Sequence, residues 1–371
     1  MYKNLPIYYY EGLLWYKSDV DNMKILLVAN DENFNKDNSG GVARYVNNLY
    51  NNLSRMALPD SVEKRAYNVR LFLPSLTQHM LFELKTACDD FDGFDIIHLL
   101  SQFPFSKVKM RKNVVISTAH DFWALLYPKF LAGLSPYEKI IGKLNWGVRS
   151  TLKADYIIAN SSQTREEAIR CGFESRNVFV ANHGVDRRFL STTRAPRKNE
   201  EFTVGLMTGG SFKDNPELAI DAFLRVRDKH VKFNVYGSLG SKRGASLKKK
   251  AAPNSNIRFK GFIEEENLIS TYDHFDAYVE PTRHDGFGLQ ILEAQARGVP
   301  VIVHKKGMIP KETRRYCVEA RDADDIADVI QKLKDNGYNE KLRKRATAYA
   351  RSFTWERNAL ETLRIYRRIK G

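Results

Sequence analysis

Apolar positions along this chain form two patterns, short unbroken runs and runs spaced by three and four residues, and the two alternate. The unbroken runs begin with MKILLVAN at Met23 and recur at Val69 to Leu73, Ile96 to Leu100, Val114 to Thr118 and Tyr156 to Ala159. A second series runs through Phe202 to Met207, Phe233 to Tyr236, Ile257 to Phe259, Ala277 to Val279 and Val299 to Val303. Such runs fit strands buried on both faces, as in a parallel sheet. Between them, Val42, Tyr45, Val46, Leu49, Tyr50 and Leu53 lie on one face of a helix, and further helices are predicted at Pro216 to Arg227 and after Gly288. Strand and helix in alternation predict an α/β fold with doubly wound parallel sheets.

The alternation occurs twice, which divides the chain. Residues 1–22 are an aromatic-rich extension, expected to pack on the first domain or a membrane interface. Residues 23–191 form a first Rossmann-like domain and residues 202–350 a second, with the charged segment Thr192 to Glu201 as hinge. Residues 351–371 are a final helix. The length of 371 residues, 43% of them hydrophobic, suits two cores rather than one.

Composition narrows the function classes. The cysteines Cys88, Cys171 and Cys317 show no Cys-x-x-Cys pairing, so neither a zinc site nor a disulfide framework is suggested, and a cytoplasmic location is expected. The apolar stretch Phe122 to Leu134 contains Pro128 and Lys129 and falls short of the roughly 20 residues a membrane-spanning helix needs. No secretory signal is read in the N-terminal segment. The net charge of +15 predicts attraction to a polyanion and leaves anionic lipid, nucleic acid, a phosphorylated acceptor and plain solubility open.

Candidate chemistry concentrates in Tyr278 to His304, YVEPTRHDGFGLQILEAQARGVPVIVH. It reads as strand, glycine loop, carboxylate-bearing helix and buried strand. Asp285 precedes Gly286-Phe287-Gly288, and Glu293 follows eight positions later on a helix with Leu289, Leu292 and Ala296 on its apolar side. Gly298 and Pro300 end that helix. A helix N-terminus fed by a glycine loop offers backbone N–H groups to an anion, with a diphosphate as the natural guest, and Glu293 can accept from vicinal hydroxyls. The ordinary alternative is a plain strand-to-helix turn with Asp285 solvated and Glu293 on an exposed face.

This segment resembles the Glu-x7-Glu signature of glycosyltransferase family 4, retaining enzymes of the GT-B fold, with Asp285 standing where the family has its first Glu. The resemblance implies two Rossmann-like domains facing each other across a cleft, no metal or other cofactor, and a nucleotide sugar as donor, UDP- or GDP-linked. It implies Glu293 on the ribose hydroxyls, Asp285 on those of the sugar, and a donor site that includes Gly286, Phe287, Gly288 and Leu289. Lys213 matches a phosphate-binding lysine beside Gly210, His120 a histidine next to the transferred sugar, and Gly40-Gly41 a glycine loop near the donor phosphate. Lys213 as a loop lysine, His120 as a core histidine and Gly40-Gly41 as a helix-start turn are the structural alternatives. The catalytic set so implied is His120, Asp285 and Lys213. His98 is read as structural, and Asn182-His183-Gly184-Val185-Asp186 as a turn near the cleft. One departure stands out: Val204-Gly205-Leu206-Met207-Thr208-Gly209-Gly210 lacks the arginine the family carries there. Lys213 and the loop backbone suffice, or another base substitutes, Arg283 and His284 being the candidates.

The stretch with Phe122, Trp123, Tyr127, Phe130 and Trp146 among lysines and arginines suits a glycan or lipid-linked acceptor at an anionic, peripheral membrane surface, or covers the first core. The leading expectation is transfer of a hexose-type sugar to such an acceptor. A nucleic-acid acceptor and a non-catalytic nucleotide-sugar-binding protein are the two alternatives.

Overall fold

The computed structural model describes residues 7–10, 13–16, 23–34, 40–56, 62–67, 75–131, 146–191, 201–237, 239–240 and 242–371. Two six-stranded sheets, all of whose pairings are parallel, organise them. The first comprises β3 (Ile25–Asn30), β4 (Val62–Tyr67), β5 (Ile96–Leu99), β6 (Val114–Ala119), β7 (Tyr156–Ala159) and β8 (Val178–Val180), in the order β4-β3-β5-β6-β7-β8. The second comprises β9 (Phe202–Met207), β10 (Val231–Tyr236), β11 (Ile257–Gly261), β12 (Ala277–Glu280), β13 (Val301–His304) and β14 (Val318–Ala320), in the order β11-β10-β9-β12-β13-β14. A short antiparallel hairpin, β1 (Ile7–Tyr10) with β2 (Leu13–Tyr16), precedes them.

Each half closes on apolar residues from both sheet faces. Every residue of β3 is buried, as its unbroken hydrophobic run requires. The strand order of the second sheet reverses between β9 and β12, and that of the first between β3 and β5. Ligands of open α/β sheets bind outside the carboxyl ends of the strands at such switch points. Here those ends carry the loops Thr208 to Asn215 and Pro281 to Gly288 in the second half. In the first half, Gly40-Gly41 forms the start of the Gly41–Met56 helix and His120 follows β6.

The last helix, Trp355–Lys370, packs on the first half. Trp355, Ala359, Leu363 and Tyr366 share a core with Tyr45, Val46, Leu49 and Leu53 of the Gly41–Met56 helix. Asn358 Nδ2 donates to the carbonyls of Ala181 (3.1 Å) and Asn182 (2.9 Å), which pins the turn after β8.

Several expectations need correction. The strand beside β3 is Val62–Tyr67, which the apolar pattern did not predict, while the strand expected at Val69 to Leu73 lies outside the described residues. β4 is an edge strand with Glu63, Lys64 and Arg65 in it, so its polarity hid it. The run expected from Val299 starts pairing only at Val301, because Val299 N still bonds back to Ala294 O of the preceding turn. The helix expected to reach Arg227 ends at Arg225. Phe122 is fully buried in the first core rather than offered to a membrane. The predicted hinge apart from Glu201, and residues 132–145 of the aromatic stretch, lie outside the described residues. Among the described residues no helix is long and apolar enough to cross a membrane.

Candidate functional site

A cleft of ≈ 480 Å³ opens between the carboxyl edges of the two sheets. Gly40, Gly41 and Arg44 line it from the first half. Thr208, Gly209, Tyr236, Gly237, Phe262, Glu265, Gln290 and Glu293 line it from the second. Of the residues expected in the site, Gly40, Gly41 and Glu293 therefore stand on one wall-to-wall surface.

Glu293 is 1% exposed, so its expected alternative as a surface acid is excluded. Its helix, Leu289–Ala296, is buried all along Ile291 to Ala296, which the apolar stripe of three residues understated. Burial pushes the Glu293 carboxyl above the usual range, opposed by the Arg44 guanidinium and the Tyr272 hydroxyl. Arg44 Nη1 forms an ion pair with Oε1, and Tyr272 Oη donates to Oε2 at 2.9 Å. Both residues escaped the sequence reading. Arg44 left one signal: a cation in the first turn of a helix opposes the backbone dipole, a local misfit of the kind that marks function. Tyr272 left none.

Asp285 does not leave the loop amides free. Its Oδ1 accepts from the backbone N–H of Phe287 (2.9 Å) and Gly288 (3.0 Å), so the carboxylate caps its own loop and occupies two donors reserved above for a diphosphate. Gly288, at φ 85°, holds the left-handed conformation that admits this turn. Phe287 is buried against His183, with ring centroids 5.2 Å apart, and contributes only backbone to the loop surface. Gly286 docks on the first half: a Cβ there would lie 1.8 Å from the His120 carbonyl oxygen. Ser161 Oγ donates to Gly286 O at 2.7 Å and Gln163 Nε2 to Asp285 O at 3.0 Å.

A second polar group gathers around Lys213. Burial alone would lower the Lys213 pKa, but the carboxylates of Asp121, Asp285, Asp214 and Glu280 outweigh it and hold the ammonium above the ordinary lysine range. Asp121, next to His120, is pushed up by burial against the pull of Lys213 and His284. Gly210 N donates to Thr208 Oγ1 at 3.0 Å, so that amide serves the loop itself. His120 Nε2 lies 3.1 Å from Leu100 O, which makes Nε2 the protonated nitrogen and leaves Nδ1 as an acceptor. Burial lowers its pKa to about 4, with the bond to Leu100 opposing.

Neither substitute for the absent arginine points into the cleft. Arg283 stacks over the Phe212 ring, its guanidinium carbon 4.1 Å from the centroid, and donates to Phe212 O. His284 is fully buried with Nε2 2.7 Å from Glu167 Oε1, tying the two halves together. His183 is buried, stacked on Tyr45 with centroids 4.8 Å apart. His98 bonds Thr118 Oγ1 at 2.8 Å and the Tyr366 hydroxyl, a structural use. Among the described residues no group of three His, Cys, Asp or Glu side chains is arranged to hold a metal ion.

Two parallel α/β units with glycine loops meeting across one cleft define a GT-B glycosyltransferase, and the chain is an enzyme of that class. Two family models match it in tandem: "Glycosyltransferase Family 4" over residues 39–189 and "Glycosyl transferases group 1" over residues 193–353. The chain belongs to this family-4 type of glycosyltransferase. It is 26% identical over 337 residues to an uncharacterized 41.2 kDa protein in the cps region of Klebsiella pneumoniae, covering 81% of this chain and 89% of that one. It is 32% identical over 114 residues to an O-antigen chain mannosyltransferase B of Escherichia coli, a match covering 30% of each chain. Among solved structures, HepE of Anabaena in complex with UDP and glucose superposes with a TM-score of 0.66 at 16% identity, covering 93% of this chain and 99% of that one. WaaG, a glycosyltransferase involved in lipopolysaccharide biosynthesis, gives 0.60 at 13% identity, covering 88% and 94%.

Proposed function

We propose that the protein transfers a hexose-type sugar from a nucleotide sugar to a hydroxyl of a glycan acceptor, polysaccharide or lipid-linked, with retention at the anomeric carbon and without a metal. The observation that carries the reading is the buried Glu293 carboxylate on the wall of a cleft whose opposite wall is the Gly40-Gly41 loop. A dry carboxylate there suits two vicinal ribose hydroxyls, and the Tyr236, Gly237, Phe262 and Ile263 side suits a planar base. The relatives support the chemistry: a neighbour of the same fold is described with UDP and glucose, and a relative is named an O-antigen mannosyltransferase.

In this reading Lys213 faces the leaving phosphates, Asp285 offers its remaining oxygen to sugar hydroxyls, and His120 accepts from the sugar or the incoming hydroxyl through Nδ1. Sugar transfer of this kind needs the leaving group neutralised and the acceptor held in line, more than it needs covalent partners. Attraction of the +15 chain to an anionic membrane surface, at the inner face of a membrane, completes the proposal for a lipid-linked acceptor.

The test is nucleotide release from UDP-, GDP-, ADP- and dTDP-sugars, with products followed by mass. Glu293→Ala is expected to weaken donor binding by one to two orders of magnitude, since a charged hydrogen bond contributes about 1.5 to 3 kcal/mol. An unchanged donor affinity removes the ribose assignment. Absence of release from every donor, with lipid and glycan extracts present, overturns the transferase reading of the cleft.

A further inference from the structure

We infer that Arg44 is the cation that the first half of the molecule delivers to the donor diphosphate, leaving Glu293 as the ribose hydroxyls take that carboxylate. The inference rests on the nucleotide-sugar reading of the cleft and names a residue that reading does not use.

Charge is the first argument. Among the described residues lining the cleft Arg44 is the cation, against the carboxylates of Glu265 and Glu293. A nucleoside diphosphate brought beside two acids needs positive charge at the glycine loops. The neighbouring cations already have partners, so even with Lys213 at the leaving phosphates its charge is largely balanced by carboxylates. Lys213 sits among Asp121, Asp285, Asp214 and Glu280; Arg283 lies on Phe212; Arg188 holds Asp186 and Glu265.

Place is the second. Arg44 stands three residues after Gly41, in the first turn of the Gly41–Met56 helix, a turn that contains no acid. The helix dipole disfavours a cation there, so local stability does not account for it. An anion at the same helix end would reverse the sign of that interaction.

Capacity is the third. The guanidinium reaches across the cleft to the buried Glu293 side chain, while Arg44 itself keeps 16% of its side-chain surface. Its Nε is buried and lacks a hydrogen-bond partner. A guanidinium has donors in a planar fork suited to two phosphate oxygens. Glu293 remains satisfied after the exchange, because Tyr272 Oη stays on Oε2 and a ribose hydroxyl replaces Arg44 on Oε1.

The exchange predicts opposite responses for two ligands. UDP, GDP, ADP and dTDP are titrated into the wild-type protein, and the diphosphate that binds is compared with its own nucleoside, read by displacement in ligand-observed NMR. In Arg44→Met the diphosphate is expected to weaken about tenfold to a hundredfold. The nucleoside, no longer competing with Arg44 for Glu293, is expected to bind as well as before or tighter. Arg44→Lys, which keeps a point charge without the fork and guards against a folding defect in the first variant, is expected to fall between. Parallel weakening of both ligands would make Arg44 a structural support of the cleft and overturn the proposal, as would no change in either. Failure of every diphosphate to bind the wild type would instead overturn the nucleotide-sugar reading itself.

Discussion

Replacing Gly286 by alanine tests whether the two halves of the molecule dock as described. Gly286 is not among the positive-φ glycines, so its backbone accepts an L-residue, and alanine would by itself add about 0.4 to 1 kcal/mol through the unfolded state. The cost comes from contact alone. The new methyl would lie 1.8 Å from the His120 carbonyl oxygen and 3.0 Å from its carbon, both backbone atoms. Relief needs the loop to recede by more than about 1 Å, given ordinary separations near 3.5 Å. Receding stretches the bonds that Ser161 Oγ (2.7 Å) and Thr164 Oγ1 (3.2 Å) donate to Gly286 O. Overpacking at about 1 to 3 kcal/mol, with two hydrogen bonds at about 0.5 to 1.5 each, offset by alanine's gain, gives a net loss of about 1 to 5.5 kcal/mol. Urea unfolding followed by tryptophan fluorescence reads this as a lower midpoint. Gly240→Ala is the control, since nothing lies within 4 Å of a Cβ there, and it is expected within about 0.5 kcal/mol of wild type. A Gly286→Ala midpoint indistinguishable from Gly240→Ala would mean that the glycine loop does not rest on His120 in solution.

Three further outcomes are expected. Trp355→Ala, which empties a buried site beneath the C-terminal helix, should cost about 3 to 5 kcal/mol; a loss under about 1 kcal/mol in the same urea assay would detach that helix from the first core. Asp285→Ala should cost about 1 to 2 kcal/mol by uncapping Phe287 and Gly288, while Asp285→Glu should alter sugar preference or rate; unchanged rates across a donor panel would refute its contact with the sugar. His120 has its folded pKa depressed to about 4 by burial, below roughly 6.5 in the unfolded chain, so the unfolded state takes up the proton first. Its stabilisation is complete above about pH 6.5 and declines as the pH falls towards 4. Burial lowers His98 and His183 in the same direction, so His120→Asn should flatten the decline only in part; an identical pH profile would refute the assignment.

Much of the fold was legible because parallel strands buried on both faces announce themselves as unbroken apolar runs, as at Ile25–Asn30 and Phe202–Met207. What escaped was of two kinds. Edge strands such as Val62–Tyr67 carry charge on their open side, and Val178–Val180 and Val318–Ala320 are too short to form a pattern. In the site, Glu293 was legible through its spacing from the Gly286-Phe287-Gly288 loop. Its partners were not: Arg44 is 249 residues away along the chain and meets it only because the halves face each other. The self-capping of Asp285 was equally hidden, since an aspartate before a glycine loop reads the same whether its carboxylate turns inward or outward.

The Trp355–Lys370 helix gives the molecule a mechanical property. The chain leaves the first half between residues 191 and 201 and re-enters it at Phe353, where Val185 N donates to Phe353 O at 2.8 Å, so the second half is held by two tethers rather than one. Any opening of the cleft has to break Arg44 on Glu293, Glu167 on His284 and Ser161 on Gly286, contacts that cross between the halves. A ligand that releases the first of these removes one such contact and leaves both chain connections in place.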